Sequence, residues 1–216
     1  MTMSAATVFA QPEDQGKYLA RVLVESEDAT AVWKELSDTE RKSVQDFASQ
    51  ATQIIQHLEQ EALSNDELVG KIAVLPNDLA LALKVSLIQV DTVVGDFVQD
   101  DVSTAGQSYR IGKFIAGAGV LGNELYRLEH DIYWTSDGRY LTAANRTYHQ
   151  SVYGVGWEFK GLTKDNQRGG KNYNFYESDV QGHFRLAIIG QDFQNLYPRI
   201  WLKAWYDGDS EYKLSP

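Results

Sequence analysis

Apolar residues recur along the first hundred positions with helical spacing. Val44, Phe47, Ala48, Ala51, Ile54, Ile55, Leu58 and Ala62 follow one another at three- and four-residue steps, predicting an amphipathic helix to about Leu63. Ser37-Asp38-Thr39-Glu40 stands ahead of it with the spacing of a capping box: the Ser37 hydroxyl accepts from the third backbone N–H, and Glu40 reaches back. Ser64-Asn65-Asp66 predicts a break and Pro76-Asn77-Asp78 a new start. Leu79, Leu83, Leu87, Val90, Val94 and Phe97 then form one stripe along a second helix, and Asp100-Asp101 opposes the macrodipole at its end. Near the N-terminus Tyr18, Ala20, Val22 and Val24 alternate with Leu19, Arg21 and Leu23, which predicts a strand.

The pattern changes beyond Thr104. Short apolar and aromatic runs are punctuated by turn residues. Ile132-Tyr133-Trp134 and Arg139-Tyr140-Leu141 flank Thr135-Ser136-Asp137-Gly138. Tyr173–Glu177 and His183–Ile189 flank Asp179-Val180-Gln181-Gly182. Ile200–Tyr206 and Glu211–Leu214 flank Asp207-Gly208-Asp209. Val152–Phe159 alternates apolar residues with glycine, and Lys164–Lys171, containing Gly169-Gly170, is expected to be a polar loop. Six to eight strands follow, with no repeat of the kind that builds propellers or solenoids. The fold class expected is α+β: an acidic helical part over 1–104 and an aromatic-rich antiparallel β-sandwich or barrel over 105–216, either as two units or as one composite domain.

Composition sharpens this division. Residues 1–104 hold 7 Lys/Arg against 18 Asp/Glu, and residues 105–216 hold 13 against 12. Twenty of the 25 aromatics and 14 of the 17 glycines fall in the second part, where rings fit half-buried sheet surfaces and glycine supplies turns. A formal net charge of −10 argues against nucleic acid and anionic lipid as partners. The absence of cysteine removes disulfides, thiolate metal sites and thiol nucleophiles. Met1–Gln11 lacks the basic start and apolar core of a secretory signal, and no apolar run approaches bilayer length, so a cytoplasmic protein is expected, with secretion left open.

The ring-rich second part carries the leading functional expectation, a non-catalytic binding module. Tyr153, Trp157, Tyr173, Tyr176, Trp201 and Trp205 would contact a small ligand, glycan or protein partner, with the Lys164–Asn174 segment as rim and the helices supporting the face or a homo-oligomer. No cofactor and no metal is expected. An alternative is membrane action through the apolar, glycine-rich segment 111–122; a buried strand with close backbone packing explains the same residues. Gly117, Gly119 and Gly122 match G-x-G-x-x-G, but no βαβ unit accompanies them. A third reading is a small enzyme using His130, His149 or His183 with Glu129 or Glu177. These histidines lack diagnostic metal spacing, and His57 is expected to be a solvated helix residue. The carboxylate pairs Glu129/Asp131 and Glu177/Asp179 and the alternating acids of Asp207–Glu211 are explained by solvation and turn capping. Asn145-Arg146-Thr147 fits the glycosylation sequon.

Ser178-Asp179-Val180-Gln181-Gly182-His183-Phe184, followed by Pro198-Arg199-Ile200-Trp201-Leu202-Lys203, resembles the strand–turn–strand of transthyretin-like sandwiches. The resemblance implies a β-sandwich and carries over no functional residue.

Overall fold

A computed structural model of the protein describes residues 12–61, 65–96, 107–188 and 191–216. Helices α1 (Pro12–Glu25), α2 (Ala29–Glu35), α3 (Asp38–Ala48), α4 (Thr52–Glu61), α5 (Asn65–Ala73) and α6 (Asn77–Leu87) precede nine strands: β1 (Gln89–Asp96), β2 (Gln107–Gly119), β3 (Glu124–Ser136), β4 (Leu141–Val152), β5 (Trp157–Gly169), β6 (Phe175–Ile188), β7 (Gln191–Leu196), β8 (Arg199–Trp205) and β9 (Ser210–Ser215). The α+β class expected from the pattern is the one observed.

Three helical expectations change. Tyr18–Val24 is part of α1, not a strand. Gly16, Ala20 and Leu23 are buried at helical spacing, and the lack of a Cβ at Gly16 brings its backbone against the Ser43 carbonyl of α3. The capping box at Ser37 forms as expected, with Glu40 N–H donating to the Ser37 hydroxyl at 3.4 Å and Ser37 N–H to the Glu40 carboxylate at 2.8 Å. The helix it opens does not run unbroken: a 3₁₀ turn at Ser49–Ala51 separates α3 from α4. The last stripe is shared between two elements, because α6 stops at Leu87, Ile88 is extended, and Val90, Val93 and Val94 lie in β1. β-branched side chains favour that outcome. Phe97, Asp100 and Asp101 lie outside the described residues, as do Met1–Gln11, Ala62–Ser64 and Ile189.

The strands form two antiparallel sheets, the first in the order β1-β2-β3-β4, the second β5-β6-β8-β9 with β7 also pairing with β6. The β3–β4 turn lies at 137–140, with Thr135 and Ser136 still in the ladder, and Asp137 accepts from Arg139 and Tyr140 N–H at 2.9 and 2.8 Å. The expected polar loop at Lys164–Lys171 is instead mostly strand: β5 continues to Gly169 with its end exposed on the surface. Asp179–Gly182 is likewise no turn. It is the middle of β6, hydrogen-bonded on both sides, so the transthyretin-like strand–turn–strand is one strand lying beside β8. The turn comes at 170–174; Gly169 (φ +76°), ending β5, and Gly170 (φ +101°) adopt backbone that L side chains avoid, and a Cβ at Gly169 would fall 2.3 Å from the Phe175 carbonyl. The Asp207–Asp209 hairpin forms as expected. Segment 111–122 is β2 and its turn, with Ile111–Ala118 paired to β3 and Lys113–Gly119 to β1; it is not followed by a helix.

The sheets pack face to face. Ile115, Leu128, Ile132 and Trp134 of the first meet Val180, Phe184, Ile200 and Leu202 of the second. Tyr126 stacks on Phe184 at 4.4 Å, and the Trp134 indole donates to the Trp205 carbonyl across the sandwich at 2.9 Å. The helices continue the same core from one end of the sandwich. The Trp157 indole donates to the Leu87 carbonyl at 2.8 Å, satisfying an acceptor that the end of α6 leaves open, and the Gln45 amide donates to the Val120 carbonyl at 3.0 Å. No helix among the described residues is long and apolar enough to cross a membrane.

Candidate binding face

Period-two alternation along β5, β6, β8 and β9 sorts their side chains onto two sides. Tyr176, Ser178, Val180, Ile200, Leu202 and Ala204 point inward and are buried. The alternate residues form the outer face, where the register sets Arg168 opposite Glu177, Asn166 opposite Asp179, Trp201 opposite Asp179 and Lys213, and Lys203 opposite Glu177 and Glu211. A groove of about 520 Å³ runs over this face, lined by Lys164, Asn166, Gln167, Arg168, Glu177, Asp179, Arg199 and Trp201. That is within the size range of small-molecule sites.

Asp179 is the anchor of the groove. Its oxygens accept from Arg199 Nε and Nη2, each at 2.7 Å, and from Lys164 Nζ at 2.6 Å. Burial alone would raise its pKa; the hydrogen bonds from Arg199 and Lys164 outweigh that and hold it below the usual carboxylate range. One anion thus holds two cations, and the cluster keeps a positive surplus. Glu177 is engaged too, accepting from the Trp201 indole at 3.0 Å, which fixes that ring along the sheet. Arg168 is different. It is exposed and its guanidinium has no hydrogen-bond or ion-pair partner among the described residues.

Past the groove the face becomes aromatic. The Lys203 ammonium lies 4.7 Å from the Trp205 ring centre and 5.3 Å from Phe175, and Tyr173 meets Phe175 edge-on at 6.2 Å. Lys213 lies 5.0 Å over Trp201. On this face Lys164, Arg168, Arg199, Lys203 and Lys213 outnumber Glu177, Asp179 and Glu211, on a chain whose overall charge is −10.

Of the six aromatics expected at a binding site, Trp201 and Trp205 share this face and Tyr173 adjoins it through Phe175. The others lie elsewhere. Trp157 is buried against Tyr126 and bonded to α6. Tyr176 is buried between the sheets, its hydroxyl bonded to Gln167. Tyr153 is exposed beside the β4–β5 turn. Lys164 and Arg168 fall in the segment expected as rim, while Arg199, Lys203 and Lys213 were not expected as site residues. The alternation of Lys164, Asn166 and Arg168 is the signal that could have placed the first two on this face, had that segment been taken as a strand.

The histidines are kept apart. His149 is exposed on β4 opposite Glu129, and His183 lies on β6, stacked on Tyr197 at 4.6 Å and bonded to Asn195 at 2.8 Å. His57 is exposed on α4, paired with Glu61. His130 is fully buried between the sheets, Nδ1 2.8 Å from the Thr147 carbonyl and Nε2 2.9 Å from the Ser178 hydroxyl. A carbonyl only accepts, so Nδ1 carries the proton and Nε2 accepts from Ser178. Burial pushes the imidazole below its ordinary pKa and keeps it neutral. With Ser178 fully buried as well, the pair ties the two sheets together. Arg146 extends the network to Asp165 at the edge. Among the described residues no three His, Asp or Glu side chains gather as metal ligands.

An apolar cavity of about 410 Å³ between α4 and α5, lined by Ile54, Leu58, Ile72 and Leu75, has its rim groups Lys71 and His57 both bound to Glu61. Comparison of the chain with protein-family models, curated proteins and solved structures gives no match.

Proposed function

We propose that the protein is a non-catalytic binding module and that the outer face of the second sheet is its recognition surface. The observation that carries this is one surface joining the Trp201 and Trp205 rings to a groove bordered by an exposed arginine, Arg168, that has no partner among the described residues. Rings offer flat apolar contact, and preset polar groups fix orientation, the usual division of labour in a ligand site. The carboxylates in the groove support binding in preference to acid–base work. Asp179 is held ionised by two cations, and Glu177 accepts from the Trp201 indole.

Tryptophan emission reads this face directly, since Trp201 and Trp205 lie on it. Titration with a panel of oligosaccharides should shift the emission, and Trp201→Ala should abolish most of the response. A panel that leaves emission unchanged, or a full response retained in Trp201→Ala, defeats the proposal.

A further inference from the structure

We infer that the ligand of this face is an acidic glycan, whose sugar rings carry carboxylate or sulfate groups. This rests on the binding role proposed above and specifies its chemistry. Each outer ring is already topped by an ammonium group: Lys213 over Trp201 and Lys203 over Trp205. A neutral sugar stacking there must displace an ammonium from its ring and offers that ammonium only uncharged hydroxyl acceptors in return. An acidic sugar offers the displaced lysine an anion and keeps its C–H face for the indole. Arg168 supplies a planar fork suited to a carboxylate or sulfate at the groove edge, with no ion pair to any described residue to break first. Asp179 already neutralises part of Lys164 and Arg199, which moderates the positive surplus. The chain's net charge of −10 opposes a long polyphosphate, whereas a short acidic oligosaccharide fits within the groove's own field.

The test is calorimetric titration of the full chain with an oligogalacturonate, a sulfated oligosaccharide of equal length, a neutral cello-oligosaccharide and an oligothymidylate. One or both acidic glycans should bind, with affinity falling as salt rises. The neutral glycan should bind roughly tenfold more weakly or worse, the loss of about one charge-assisted contact. Arg168→Gln should weaken the acidic glycan by a similar factor and leave the thermal unfolding midpoint unchanged, because no partner among the described residues is lost. Which acidic glycan binds identifies the anion. Equal affinity for the neutral glycan, salt-independent binding or an unaffected Arg168→Gln overturns the acidic assignment while leaving a binding face in place. Tightest binding by the oligothymidylate overturns the glycan. Silence from every probe overturns both this inference and the role beneath it.

Discussion

On the outside of the first sheet the charges are matched to one another. Arg110 donates to Asp131 at 2.8 Å, Thr147 donates to the same carboxylate, Arg127 binds Glu124 and Glu129 while covering Phe114, and Tyr133 bonds Ser108. On the outside of the second, Arg168 has no partner among the described residues, Lys203 and Lys213 rest on rings, and a groove opens between strands. Both faces belong to antiparallel sheets on one core and draw on the same residue types. A polar sheet surface is therefore not informative by itself. What separates a finished surface from one built to receive something is whether its donors are already spent.

The largest effect tests whether the two faces share one cooperative unit. Trp157→Ala removes a core ring and the bond to α6, and should cost about 3–5 kcal/mol in urea denaturation. Probes on the two sheets should report one transition; two separated transitions would break the comparison. Next come the two buried carboxylates. Asp131→Ala and Asp179→Ala should each cost roughly 1–3 kcal/mol by the same measurement. Only Asp179→Ala, which frees Arg199 and Lys164, should tighten binding of an anionic oligosaccharide. A gain in Asp131→Ala of equal size would erase the distinction between the faces. Third, Trp201→Ala should weaken ligand binding about tenfold, near 1.4 kcal/mol, with Tyr133→Ala on the opposite face unchanged in the same titration. The smallest effect concerns the join between the sheets. The folded pKa of His130 lies below its ordinary 6.5, so the unfolded chain takes up the proton first as pH falls. Stability should decline below about pH 6.5. His130→Gln should flatten that slope between pH 7 and pH 5, read as urea midpoints; an unaltered slope would remove His130 as the source.

Much of the architecture was legible because it rests on local chemistry. The Ser37–Glu40 box, the Asp207–Asp209 hairpin and the concentration of rings and glycines past Thr104 each depend on neighbours a few residues away. The errors arose where long-range pairing decides. Asp179–Gly182 has turn composition, yet Asp179 is acceptable inside β6 because Lys164 and Arg199, from other strands, neutralise it. Lys164–Lys171 looks like loop because nothing covers its outer side. Val90–Val94 continues a helical stripe but pairs with β2. Trp157 and Tyr176 belong to the same aromatic-rich part of the chain as Trp201 and Trp205, and only strand parity and the helical end decide which rings are inside.

Strand β6 carries two unrelated sets of contacts on alternate residues: Glu177 and Asp179 support the groove, while Tyr176 and Ser178 reach the interior network. Sliding that strand by a single position would drive both carboxylates into the space between the sheets and turn the hydroxyls out to water. The span from Tyr176 to Asp179 should therefore accept a swapped side chain here and there but no added or deleted residue, so that in any library of length variants it stands out as an intolerant stretch.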